Sequence, residues 1–198
     1  MPLPVPQPRE ELHLRRIEVR GYRRDDGLID IEARIIDTKS HPFHQESRGR
    51  YLPVGEHLHD MTMRLTLDES FTIQEAIACS DATPHTMCPE AAASIAQLTG
   101  LTLGSGWSRA VRERLGGVKG CTHLTELLAQ MATVAFQTVF PETRAKAQKL
   151  DANGRPLKID SCYAYASQRD LVRVRWPEHY DGPKVDGPSK LAKSAILR

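Results

Sequence analysis

The chain has 198 residues, 40% of them hydrophobic and 26% charged, and a formal net charge of +2. This composition is typical of a folded domain with an apolar core, and it argues against a strongly basic nucleic-acid binder. No apolar run approaches the roughly 18 residues of a membrane span, and no secretory signal is visible. We therefore expect a cytoplasmic protein that has no nucleic-acid or membrane partner, and whose four cysteines are free thiols.

The ends of the chain differ in composition from its middle. Residues 1–12 are rich in proline, which predicts a flexible arm. Residues 178–198 are rich in glycine, proline and lysine and are predicted to be a flexible tail. One folded domain is expected over residues 13–177.

The first part of that domain has the alternating pattern of strands. Apolar and charged residues alternate over 29–35, and apolar and polar residues alternate over 61–67. Residues 68–70 form a predicted turn, and the polar stretch 38–58 is predicted to be a loop. The return strand of the hairpin is expected to continue the apolar side with Phe71, Ile73 and Ile77.

Helical signals follow the strands. Pro89 and Gly100 are typical of the first residue and the terminator of a helix. A second helix is predicted over 105–117 and a third from Thr122, with apolar residues at helical spacing. Residues 157–177 are a candidate C-terminal hairpin. Strands followed by helices predict an α+β fold, in which an antiparallel sheet carries helices on one face.

Two cysteines stand at predicted helix starts, Cys88 and Cys121. Unpaired N–H groups and the partial positive charge of a helix start favour a thiolate, which is a better nucleophile and a better metal ligand than a thiol. The alternative is that each cysteine is simply a small buried apolar residue. His123 and Glu126 share one helix face, so Glu126 can orient the histidine, act as a general base, or form a surface ion pair.

The stretch from Asp60 to Gln137 resembles the NifU/IscU-type iron–sulfur cluster scaffold family. The features that carry the resemblance are an aspartate before an alternating strand, a return strand, and two cysteines that each begin a helix. The resemblance implies that Asp60, Cys88 and Cys121 are metal or cluster ligands, and it places Glu126 at an acidic position of the last helix.

The chain departs from that scaffold at two ligand positions. The family's first cysteine is Leu58 here, and the histidine before its last cysteine is Gly120. Because a labile cluster prefers four thiolates, the remaining ligands are better suited to a single Zn or Fe ion.

The folded part as a whole also resembles an uncharacterised bacterial domain family of unknown function. The resembling stretches are YRRDDGLIDIEARIIDTK, HDMTMRLTLD, GCTHLTELL and DSCYAYA with the later VRVRWP. By this resemblance alone, further site candidates are Arg23, Arg24, Asp25, His59 and Cys162.

The sequence thus predicts a mononuclear Zn or Fe site, with His123 and Glu126 as acid–base or ligand-orienting groups. Its predicted ligands are Asp60, Cys88 and Cys121, with His59 completing the set and Cys162 as the alternative to His59. The candidate function is a metal-binding domain that acts as a metal-dependent enzyme on a small organic molecule. The alternative is a sulfur-acceptor or scaffold-like module that works with a partner protein. A metal-free nucleophile made of Cys121 and His123 is less favoured, because residues two apart on a helix do not face each other.

Overall fold

The computed structural model describes residues 3–139 and 150–183. The chain divides into two compact units, residues 1–140 and residues 141–198, where the sequence predicts one domain over 13–177. Residues 3–12, in the predicted arm, are exposed and lack helices and strands. Most of the predicted tail, residues 184–198, lies outside the described residues.

The first unit is built on a four-stranded antiparallel sheet of order β1-β2-β5-β6. A two-stranded ribbon of β3 and β4 lies within the stretch predicted to be a loop. The strands are β1 (His13–Arg23), β2 (Ile29–Lys39), β3 (Phe43–Gln45), β4 (Arg50–Leu52), β5 (His57–Leu67) and β6 (Ile73–Ala82).

The predicted alternation is confirmed in β2 and β5, where every second side chain is buried in one apolar core. The return strand β6 differs from the prediction at Ile77. A register shift between Thr66 and Leu67 makes Leu65 pair with Ala76, so Ala76 faces the core and Ile77 is 40% exposed. Such an irregularity inserts one extra residue and exchanges the faces that follow it.

The helical segments cover the inner face of the sheet, as the predicted α+β class requires. A 3-10 segment, Cys88–Leu98, packs against β6. Helix α1 (Trp107–Leu115) contacts both that segment and α2 (Thr122–Thr138), and α2 packs across β1 and β2. Helix α2 buries Leu124, Leu127, Leu128, Met131, Ala132 and Ala135.

The second unit has helical turns where the sequence predicts a hairpin, so that prediction is wrong. Residues Tyr163–Tyr165 form a 3-10 turn and Asp170–Arg175 form a short helix, α3. Asp160 has a φ of 62°, and its carboxylate accepts a 2.8 Å hydrogen bond from the backbone N–H of Ser167. Such local side-chain-to-backbone bonds favour turns over an extended strand.

Long apolar helices are absent from the part of the chain that the structure describes: no helix within 3–139 or 150–183 has the length and hydropathy to cross a membrane.

Candidate functional site

A row of polar side chains crosses the inner face at one end of the sheet. Arg15, Asp37 and His59 are directly opposite one another on β1, β2 and β5. Each continues the inward-facing stripe of its strand, one alternation step beyond Ile17, Ile35 or Met61. Because inward residues are normally apolar, charge at these positions requires partners.

Asp37 is fully buried, and each of its carboxylate oxygens has two polar neighbours. Arg15 donates from Nε to Oδ1 and from Nη2 to Oδ2, both over 2.8 Å. Nδ1 of His59 lies 2.8 Å from Oδ2, and Nε2 of His13 lies 3.3 Å from Oδ1. A carboxylate has about four lone-pair positions, and three of them are taken by the hydrogen bonds from Arg15 and His59.

The charge state of the row follows from these contacts. Burial alone would raise the pKa of Asp37, but the hydrogen bonds and charge of Arg15, with His59 and His13 nearby, hold that pKa below its usual range. Burial and the neighbouring His123 lower the pKa of His59 despite the nearby carboxylate. A carboxylate only accepts hydrogen bonds, so Nδ1 of His59 is the protonated nitrogen, and Nε2 of the neutral ring keeps its lone pair.

The start of α2 delivers a second imidazole to this row. The ring of His123 lies over the ring of His59, with 3.9 Å between centroids and 35° between planes. Sγ of Cys121 lies 3.8 Å from Nδ1 of His123. The expectation that these two residues cannot face each other is wrong, because Cys121 is the N-cap residue, with extended backbone at φ −92° and ψ 128°. Helical spacing does not apply to a residue outside the helix.

Cys121 and His123 shift each other's proton affinity. Burial would raise the pKa of the Cys121 thiol, but the contact with His123 and the backbone N–H groups of Leu124 and His123 lower it overall. The same contact with Cys121 raises the pKa of His123, against the effect of burial. The site therefore contains the neutral, buried imidazole of His59 beside the contact between the Cys121 thiol and the His123 imidazole.

Asp37, His59 and His123 form a group of possible metal ligands. One ligand atom from each residue lies within 4.8 Å of the other two, and two of the three residues are buried. Two imidazoles and a carboxylate are a donor set that Zn and Fe accept. Over residues 3–139 and 150–183, no other group of three such side chains comes this close together.

Asp60 does not join this cluster, although the sequence predicts it as a ligand. It follows His59 in the same strand, and successive side chains of a strand point to opposite faces. On the outer face its carboxylate accepts 2.8 and 2.7 Å hydrogen bonds from Arg34 and has Nδ1 of His57 at 2.9 Å. Those contacts, Arg34 foremost, hold the pKa of Asp60 below its usual range.

The other predicted residues are also spread through the structure. Cys88 begins the 3-10 segment on β6, whereas Cys121 caps α2, which packs on β1 and β2 at the other edge of the sheet. Cys162 is exposed and belongs to the second unit. Glu126 accepts a 2.7 Å hydrogen bond from Nη1 of Arg15. Of the predicted ligands, the structure thus places His59 in the cluster and Cys121 beside it.

Sequence reasoning missed Arg15 and Asp37. The signal was present, because the alternation of apolar residues in β1 and β2 can be extended by one step to each of them. A charged residue at the next inward-facing position after a run of alternating apolar residues indicates a buried polar site. The cross-strand pairing, which brings the two together, is not visible in either strand alone.

Two surface cavities lie away from this cluster. One, of about 490 Å³, lies over the outer face of the sheet and is lined partly by Arg20, Arg34 and Arg64. The other, of about 400 Å³, is lined partly by Arg48, Arg50 and His57. Neither of these two cavities is lined by a residue of the cluster.

Fold and site together define an α+β domain with a buried carboxylate–histidine cluster where β1, β2, β5 and α2 meet. Residues 13–137 match the family described as "Protein of unknown function (DUF2889)", and the chain belongs to that family. The match runs from the first residue of β1 almost to the end of α2 and includes every residue of the cluster. No curated protein and no solved structure matches the chain.

These comparisons confirm the resemblance to an uncharacterised domain family. They give no support to a NifU/IscU-type core. The ligands implied by that scaffold, Asp60, Cys88 and Cys121, also lie on different elements and faces, as described above.

Proposed function

We propose that this protein is a metal-binding domain that holds one Zn²⁺ or Fe²⁺ ion through the imidazoles of His59 and His123. The observation that carries the proposal is the convergence of ligand atoms from Asp37, His59 and His123 within 4.8 Å of one another. Ligands of one ion lie about 3–4 Å apart, given metal–nitrogen and metal–oxygen bonds of about 2.0–2.2 Å. The two rings are stacked, with 35° between their planes, so one of them must turn before both direct a lone pair at the same ion.

The support around His59 is typical of a metal ligand. Metal-binding histidines commonly donate the other ring N–H to a carboxylate, which fixes the tautomer and the ring orientation. Asp37 accepts such a bond from Nδ1 of His59 and is itself fixed by two hydrogen bonds from Arg15. This arrangement holds Nε2 of His59 ready for an ion.

The activity proposed for this site is metal-dependent chemistry on a small organic molecule. Such chemistry needs an ion with an open position for water or substrate, and a site with few protein ligands leaves one. His123 is only half-buried, so the site can be approached from solvent.

The alternative, a sulfur-acceptor or scaffold-like module, is less well supported. That function requires a cysteine that a partner protein can reach, whereas Cys121 is half-buried and contacts His123. Cys88 begins the segment that packs on β6, whereas Cys121 caps the helix that packs on β1 and β2.

Elemental analysis of the full chain, purified without added metal, tests the proposal. We expect close to one Zn or Fe per chain in the wild type and in His44→Ala, which removes an exposed histidine of β3. The His123→Ala variant is expected to lose the metal while keeping the wild-type circular dichroism spectrum. His123→Gln serves as a second variant.

The proposal fails if the folded wild type carries no metal and takes up neither Zn²⁺ nor Fe²⁺ in a calorimetric titration. It also fails if a folded His123 variant binds the ion as tightly as the wild type does.

A further inference from the structure

We infer that the cavity on the outer face of the sheet is a binding site for a small organic oxyanion, and that Arg64 holds the charged group of that ligand. The ligand class is a carboxylate or phosphate group on an apolar body. The cavity lies on the face of the sheet opposite the carboxylate–histidine cluster, so this site is additional to the proposed metal site.

The cavity has the size of a ligand site. Its volume of about 490 Å³ falls in the range of about 300–1,000 Å³ that is typical of pockets for small molecules. It is lined by one row of direct cross-strand neighbours on β1, β2, β5 and β6, namely Arg20, Glu32, Arg64 and Ile77. The cavity therefore spans the width of the sheet.

Two of the three arginines in the cavity already have close carboxylate partners. Arg34 donates hydrogen bonds of 2.8 and 2.7 Å to Asp60, and Arg20 donates one to Glu18. Charge-assisted hydrogen bonds of this kind are the strong ones, so a ligand would have to displace a carboxylate to use either guanidinium fully.

Arg64 has no such partner. Among the residues that the structure describes, its side chain donates no hydrogen bond, and its Nε is buried without an acceptor. An oxygen of Glu32 lies 3.6 Å from Nη1, which is too long for a hydrogen bond. Because buried donors in folded proteins nearly always have acceptors, this one points to an acceptor that binds in the cavity.

The chemistry of a guanidinium identifies that acceptor as an oxyanion. Its planar fork of N–H groups matches the two oxygens of a carboxylate or phosphate, which it binds through two parallel hydrogen bonds. The side chain of Arg64 is 41% exposed although Nε is covered, so other atoms of the same side chain are accessible to a ligand.

Ile77 supplies an apolar contact next to this charge. It is directly opposite Arg64 on β6, and side chains at opposite positions on one face are close neighbours. The register shift between Thr66 and Leu67 places Ile77 on the outer face instead of in the core. Such irregularities commonly redirect a side chain beside a functional site. A ligand whose oxyanion meets Arg64 can therefore lay an apolar body on Ile77.

Glu32 opposes the binding of an anion at Arg64. Its carboxylate lies on the β2 side of Arg64 and is itself partly exposed, so it can turn toward solvent when a ligand enters. Replacing Glu32 by Gln keeps the size of the side chain and removes a negative charge next to the ligand. The inference therefore predicts that this substitution tightens binding.

Titration of the full chain with benzoate and with phenyl phosphate, followed by the Nε–Hε signals of arginine in NMR spectra, tests the inference. We expect saturable binding to the wild type, and the compound that binds more tightly identifies the preferred oxyanion. Arg64→Gln is expected to weaken binding at least about tenfold, as loss of hydrogen bonds to a charged group commonly does. Glu32→Gln is expected to tighten it about threefold.

Two further variants complete the experiment. Arg64→Lys keeps the charge but loses the planar fork, so we expect an affinity between those of the wild type and Arg64→Gln. Arg109→Gln, which removes an exposed arginine of α1 outside the cavity, is the matched control and is expected to bind as the wild type does. The circular dichroism spectrum of each variant checks that it folds.

Three outcomes would overturn the inference. The first is that the folded wild type binds neither compound. The second is that Arg64→Gln and Arg64→Lys both bind as tightly as the wild type, or that Glu32→Gln binds more weakly. The third is that inorganic phosphate binds as tightly as either compound, which would mean an adventitious ion only.

Discussion

Asp37 and His59 are direct cross-strand partners on β2 and β5, joined by a 2.8 Å hydrogen bond between Oδ2 and Nδ1. The carboxylate has no exposure to solvent, and it holds Arg15 and His59 at the same time. Structure and candidate chemistry therefore depend on one buried charge.

Replacing Asp37 by Asn removes that charge while nearly preserving the shape of the side chain. An amide has one acceptor oxygen where the carboxylate has two, and its NH₂ group would face the donors of Arg15 or His59. We expect a loss of about 1–3 kcal/mol in the free energy of unfolding, measured with urea.

Asp26→Asn is the matched control for this substitution. Asp26 pairs with Arg24 at the surface, where its side chain is 48% exposed. We expect a change within about 0.5 kcal/mol, because exposed ion pairs contribute little. Equal losses in the two variants would contradict the role assigned to the buried row.

Glu126→Gln distinguishes two roles for Glu126, an ion pair with Arg15 and the orientation of His123. Glu126 is bonded to Arg15 and its side chain is 55% exposed, so we expect a stability change below about 1 kcal/mol and an unchanged metal content. The sequence-based hypothesis that Glu126 orients His123 predicts loss of metal instead. Elemental analysis beside a urea titration measures both quantities, and a metal-free but stable variant would support that hypothesis.

Gly21→Ala tests the contact between β1 and the end of α2. A Cβ atom at Gly21 would lie 1.8 Å from Oγ1 of Thr138, so the helix end must move. We expect a loss of about 1–3 kcal/mol, typical of overpacking, in the free energy of unfolding.

The double variant Gly21→Ala/Thr138→Ala is expected to recover part of that loss, because it removes the nearest clashing atom. A Gly21→Ala variant as stable as the wild type would show that α2 does not approach β1 this closely. Thermal unfolding followed by circular dichroism measures both variants.

Asp68 makes the hairpin between β5 and β6 sensitive to pH. Hydrogen bonds from the Ser70 hydroxyl and from the backbone N–H groups of Ser70 and Thr72 lower the pKa of Asp68, against the effect of burial. The stabilisation is therefore present above the unfolded-state pKa of about 3.9, and it is lost as the pH falls through the lower folded-state pKa.

We expect Asp68→Asn to be less stable than the wild type near neutral pH, and we expect the difference to shrink below about pH 4. Asp68→Ala, which lacks an acceptor, is expected to be destabilised by about 1 kcal/mol even at low pH. Urea titrations between pH 7 and pH 3 measure these differences. A wild-type advantage over Asp68→Asn that is constant over this range would contradict the assignment.

Local patterns in the sequence predicted much of the first unit. Alternation identified β2 and β5, and the signals at Pro89 and Thr122 located two helical segments, because these patterns involve neighbouring residues only. The hairpin predicted over 157–177 was wrong, since bonds of Asp160 to Ser167 and its neighbours form turns there.

The site was harder to predict, because it depends on which strands pair and in which register. Asp37 and His59 are 22 positions apart and become neighbours only when β2 pairs with β5. Asp60 was predicted as a ligand from the resemblance to the scaffold family, but its neighbour His59 is the residue on the inner face.

The row of Arg15, Asp37 and His59 also bears on how the sheet chooses its alignment. If β1 slipped by one residue along β2, Arg15 would turn to the outer face, and a carboxylate in the interior would lose its cation. A similar slip of β5 would withdraw His59. A sheet in the wrong register is therefore less stable than the burial of apolar side chains alone would make it. The same polar residues that surround the proposed ion site thus favour one register of β1, β2 and β5.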